Sequence, residues 1–111
     1  MTGPPFQSAL VEDAVASAKA AAEGYAGGVL RSDKLSVGVY VLAAGASDPQ
    51  QPHKEDEVYY VVRGRSRFQI EGAEQGVGPG SLLFVRAGVD HRFHDISEEL
   101  VLVVFWAPPH D

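Results

Sequence analysis

Gln51-Pro52-His53-Lys54-Glu55-Asp56-Glu57-Val58-Tyr59-Tyr60-Val61-Val62-Arg63-Gly64 is the stretch on which the reading of this chain turns. In an extended backbone Gln51 and His53 point to one face, roughly 6.6 Å apart. Glu57 has the same parity, but a straight strand would carry it about 13 Å from His53, too far to share an ion. Lys54-Glu55-Asp56 is highly charged and reads as a turn. A reversal there lets Glu57 open the next strand and face His53 across the pair. An imidazole, a carboxylate and an amide oxygen form a mixed N/O set suited to Mn, Fe, Ni or Zn.

A second cluster lies downstream, Gly80-Ser81-Leu82-Leu83-Phe84-Val85-Arg86-Ala87-Gly88-Val89-Asp90-His91-Arg92-Phe93-His94-Asp95. An apolar run enters a glycine turn, and His91 heads the strand that follows. His91 and Phe93 face one way, Arg92 and His94 the other. Tyr59 has the parity of Glu57, and Phe93 that of His91, so both are expected to line a pocket beside the ligands, to pack in the ordinary core, or both. An inward His91 supplies a further ligand from a neighbouring strand.

Around these clusters the apolar period is two. Strands are expected at 35–43, 58–63, 65–71, 82–86, 92–96 and 100–106, separated by Gly45, Asp48-Pro49, Gly64, Gly72, Gly76, Gly78-Pro79-Gly80, Gly88 and Ser97. Gaps this short hold no crossover helix, so the sheets are antiparallel and the architecture a sandwich or barrel. The amino-terminal part differs. Beyond Gly3-Pro4-Pro5, Ser8 is a candidate N-cap, and Leu10, Val11, Ala14, Val15, Ala18 and Ala22 recur at helical spacing up to Gly24. The organisation expected is a leader and packing helix over 1–34, a barrel over 35–107 and a tail over 108–111.

Composition narrows the function. The chain has 111 residues, one domain by length, with 45% hydrophobic and 22% charged residues. It has no cysteine, which excludes disulfides, thiolate zinc sites and cysteine nucleophiles. A net charge of −6 argues against nucleic acid and anionic membranes as partners. The longest uncharged run, Leu35 to Ser47, has 13 residues, short of the roughly 18 that suggest a spanning helix. No Lys or Arg precedes Lys19, as a signal peptide would require, so a cytoplasmic protein is expected.

The two clusters resemble the two motifs of the cupin superfamily. The first family motif places glycine, His-x-His, glutamate and glycine at the spacings of Gly45, Gln51, His53, Glu57 and Gly64, with Gln51 standing for the first histidine. The second places glycine, Pro-x-Gly, histidine and asparagine where Gly80, Arg86, Gly88, His91 and Asp95 stand, so arginine replaces the proline and aspartate the asparagine. Fifteen residues separate Gly64 from Gly80, as in compact single-domain microbial cupins. The resemblance covers about residues 35 to 106. It implies an all-β, double-stranded antiparallel barrel of jelly-roll type, here with one amino-terminal α-helix. It also implies a metal held inside by Gln51, His53, Glu57 and His91, and a homodimer. An amide oxygen is a weaker, neutral donor than imidazole and shifts preference toward harder ions.

The function this implies is a metal-dependent enzyme, such as a dioxygenase, isomerase or decarboxylase, acting on a small oxygen-rich molecule. The alternative is a non-catalytic barrel that binds or senses a small ligand, with or without metal. Arg63, Arg65 and Arg67 read as a solvated sheet face, His94 as a surface partner for a nearby acid, and His110 as part of a disordered tail.

Overall fold

The computed structural model describes residues 3–49 and 52–110. Among these, one helix, α1 (Val11–Ala20), precedes six strands: β1 (Tyr25–Arg31), β2 (Ser36–Leu42), β3 (Asp56–Ile70), β4 (Ala73–Val77), β5 (Leu82–Val85) and β6 (His91–Ala107). All pairings are antiparallel, in the order β1-β2-β6-β3-β4, with β5 also on β3. The protein is an all-β antiparallel barrel with one amino-terminal helix.

The helix starts later than its sequence signals suggest. Leu10 is the N-cap and contributes no side-chain hydrogen bond, so Ser8 does not cap it. It also ends earlier, at Ala20; Gly24 instead adopts φ +72° ahead of β1. Ala14, Val15 and Ala18 are buried against Val37, Val39, Val41, Val101 and Val103, whereas Leu10 and Val11 stay exposed. The small side chains let the helix lie close on the sheet, and it covers the outer face of β2 and β6. This explains why β2 is buried on both faces. Its even residues Tyr40 and Leu42 join the barrel interior with Tyr59, Phe68, Phe93, Leu100, Leu102 and Trp106.

Two pairs of expected strands are single ribbons. Gly64 and Ser97, read as turn residues, lie inside β3 and β6, which pair along most of their length. The register shifts three times between Val61 and Arg67. Inward residues are therefore odd at 57, 59 and 61 but even at 64, 66 and 68. An irregularity of one residue flips the side-chain alternation and bends the ribbon, so one strand serves both halves of the barrel. Gly64 makes this possible: it has φ +98°, and a Cβ there would sit 2.7 Å from the Leu100 Cα. On β6, Asp95 has φ +49°, a left-handed conformation that aspartate and asparagine tolerate better than most residues. Strands β1 and β4 carry no clear alternation. β1 contains Gly27-Gly28 and an irregularity between Ala26 and Leu30, and β4 is a largely exposed edge. The segment 25–31, expected within the leader and helix, thus pairs with β2.

Candidate metal centre

Glu57 lies near the start of β3 and His91 opens β6, yet the bent β3–β6 ribbon brings them together inside the barrel. His91 Nε2 lies 2.6 Å from Glu57 Oε1, and both side chains are 1% exposed. The Tyr59 hydroxyl lies 3.1 Å from the same carboxylate oxygen and 3.0 Å from His91 Nε2. On the other side of the ring, His91 Nδ1 is 2.9 Å from the Val89 carbonyl, to which it donates, leaving Nε2 to face Glu57.

His53 enters from the loop before β3. Its carbonyl accepts a hydrogen bond from the Gly88 N–H at 2.7 Å, which ties that loop to the glycine turn ahead of His91. Asp56 Oδ1 adds a second tie by accepting from the Ala87 N–H. His53, Glu57 and His91 each offer a donor atom, and the three atoms lie within 4.8 Å of one another. Gln51, the fourth residue of the expected set, lies outside the described residues.

The electrostatics of the two imidazoles differ. Burial pushes the His53 pKa below its ordinary value, and the neighbouring His110 and His91 add to this against the pull of Glu57. Burial also opposes charge on His91, but there the Glu57 hydrogen bond, the Val89 carbonyl and the Glu57 charge outweigh it and raise the pKa. Glu57 Oε2 is buried and has no hydrogen-bond partner among the described residues. A bare, buried carboxylate oxygen is costly, and a cation or a hydrogen-bond donor satisfies it. The donor set and this orphaned oxygen fit a divalent ion.

A cavity of about 390 Å³ opens at the mouth, lined by Glu23, Tyr25, Tyr40, Pro49, His53, Trp106 and His110. Tyr59 and Phe93, expected to line the pocket, are fully buried and lie outside this lining; their rings pack edge to face at 5.1 Å. The lining residues Tyr25 and Trp106 are joined by a 2.9 Å bond from the indole Nε1–H to the phenol oxygen. Two residues at the mouth escaped the sequence reading. Glu55, read as part of a charged turn, is 2% exposed, and its parity with His53 and Glu57 was the available signal. His110, read as disordered, stacks on Trp106 at 4.1 Å and lies 3.2 Å from Glu55 Oε2; nothing local in Pro-Pro-His announces this contact. Elsewhere His94 meets Glu74 at 2.8 Å, and Arg63, Arg65 and Arg67 pair with Glu12, Glu98 and Glu74 on the exposed face. Among the described residues no helix is long and apolar enough to cross a membrane.

Comparison with known proteins agrees with this architecture. An uncharacterized protein of Streptomyces coelicolor is 43% identical over 97 residues, 87% of this chain and 92% of that protein. Dimethylsulfoniopropionate lyase DddQ of Ruegeria pomeroyi is 30% identical over 81 residues, 72% of this chain, which spans only 40% of the lyase. The crystal structure of that lyase superposes with a TM-score of 0.64 at 28% identity, over 68% of this chain and 39% of the lyase. KdgF from a Halomonas species shares the fold at TM-score 0.71 and 19% identity, over 78% of this chain and 79% of KdgF. Residues 38–108, which hold His53, Glu57 and His91, match the cupin domain, and the chain belongs to the cupin family.

Proposed function

We propose that this chain is a metal-dependent cupin enzyme that acts on a small, oxygen-rich molecule. His53, Glu57 and His91 hold a divalent transition metal, Mn, Fe, Ni or Zn, with Gln51 as a fourth ligand. The observation that carries this reading is Glu57 Oε2, a buried carboxylate oxygen without a hydrogen-bond partner among the described residues, beside two imidazoles. The resemblance of the barrel to a lyase supports an enzyme over a purely structural module.

A bound divalent ion supplies Lewis-acid polarisation of a substrate oxygen. The protein's own groups prepare the site for it. Val89 fixes the orientation of the His91 ring, and the Tyr59 hydroxyl holds the Glu57 carboxylate in place. The cavity admits the substrate beside His53 against the aromatic walls of Tyr25, Tyr40 and Trp106.

Elemental analysis of untagged protein, purified without chelator and passed through gel filtration, tests the reading. Near-stoichiometric metal that is lost in His91→Ala is expected, and the metal found then directs substrate screening. One observation favours the alternative, a metal-free barrel that binds or senses a small ligand. His91, Glu57 and Tyr59 already contact one another at 2.6 to 3.1 Å. Wild-type protein that takes up no metal even on reconstitution would leave that alternative standing.

The same reading takes the chain as a homodimer. Leu82, Phe84, Tyr60 and Phe105 are exposed on adjoining strands β5, β3 and β6, an apolar strip on the part of the sheet that α1 does not cover.

A further inference from the structure

A second set of donors lies beside His53 that the proposed centre does not use. Glu55 is buried, with Oε2 at 3.2 Å from His110 Nδ1. Its other oxygen, Oε1, is buried without a hydrogen-bond partner among the described residues. His110 is held over the mouth by stacking on Trp106, and its ring stands edge-on to His53 at 5.2 Å. Donor atoms of His53, Glu55 and His110 all lie within 4.8 Å of one another. Two imidazoles and a carboxylate are a recognised three-ligand set for zinc, with a position left for water or a ligand. Because His53 and His110 both line the cavity, that open position would face it.

We propose that His53, Glu55 and His110 form a second, outer divalent-cation site at the barrel mouth, suited to borderline ions such as Zn²⁺ or Co²⁺. This rests on the reading of the inner centre only through His53, which belongs to both groups. A neutral imidazole has one lone pair for a metal, so His53 serves one ion at a time. The inner and outer positions therefore exclude each other, and an ion arriving from solvent meets the outer one first. His53 and Glu55 precede β3, whereas His110 follows β6. A loaded outer site would thus add a metal tie between the segment after β6, already seated on Trp106, and the one before β3.

Calorimetric titration of metal-stripped protein with Zn²⁺ tests this, using His91→Ala to disable the inner group. His91→Gln serves as a second background that keeps more of the side-chain volume. Folded His91 variants, although they retain no metal through purification, are expected to bind one equivalent of added Zn²⁺. Adding His110→Ala or Glu55→Gln should weaken that binding at least tenfold, and imidazole ¹H–¹⁵N spectra should show the His110 signals moving with Zn²⁺. A folded His91 variant that binds no Zn²⁺, or binds it equally well without His110 and Glu55, overturns the outer site. The inner reading is scored separately on wild-type protein. It fails if the ion retained through purification depends on His110 and not on His91, an outcome that leaves the outer site standing.

Discussion

Glu57 and His91 touch at 2.6 Å although they sit near opposite ends of one β-ribbon. In the β3–β6 register Glu57 is opposite Trp106, and His91 is opposite Ile70, 13 positions further along β3. A straight ribbon would hold those positions roughly 43 Å apart. The ribbon must bend back on itself to close this distance, and the irregular register between Val61 and Arg67 and the left-handed Asp95 allow it, so the centre exists because the barrel closes.

Glu57→Gln keeps the shape of the side chain and removes its charge. The buried His91 then loses its charged partner but keeps Tyr59 and Val89, so the cost is that of one charge-assisted hydrogen bond, about 1–2 kcal/mol. Denaturant unfolding of metal-free protein should show this loss, and elemental analysis should show metal retention abolished. Unchanged stability together with unchanged metal content would rule out the pairing.

The raised pKa of His91 makes stability and metal retention depend on pH in opposite ways. The folded state holds this proton more tightly than the unfolded chain does. Its stabilisation is therefore complete below the ordinary imidazole value of 6.5 and is lost as pH rises through the raised folded value. Metal requires the deprotonated ring, so retention should improve over the same interval. Thermal melts with and without chelator on either side of 6.5 should shift in opposite directions. Parallel shifts would count against His91 as a ligand.

Gly64→Ala should destabilise the fold by about 3 kcal/mol or more, because the methyl group combines backbone strain at φ +98° with collision against Glu99 and Leu100. A lowered denaturant midpoint is the expected readout. A neutral result would mean that β3 and β6 do not approach as closely as described.

Phe84→Glu puts a charge on the β5 side of the exposed apolar strip. Light scattering should give a dimer for the wild type and a monomer for the variant, with the circular dichroism unchanged. A wild-type protein of monomer mass would remove the dimer from the proposal.

The two motif clusters, the period-two strands and the alanine-rich helix were all legible in sequence, because each depends on near neighbours. Spacing placed His53, Glu57 and His91 as candidates, and parity singled out Tyr59, whose hydroxyl contacts two of them. Other features lay beyond that reach. Gly64 and Ser97 read locally as turns because glycine and serine punctuate chains, yet both lie inside long strands whose pairing sets the bend. Strand β1 was missed because Gly27-Gly28 breaks alternation, and its pairing with β2 supplies the order its own residues lack.

The class of fold and the donor types of the candidate centre are legible in short segments, since periodicity and residue type are local properties. Long-range packing sets the burial of Glu55, the seating of His110 on Trp106 and the lining of the cavity by Tyr25 and Tyr40. These contacts join residues up to 81 positions apart, as Tyr25 and Trp106 show. Barrel closure brings such residues together, and no local pattern encodes which of them will meet.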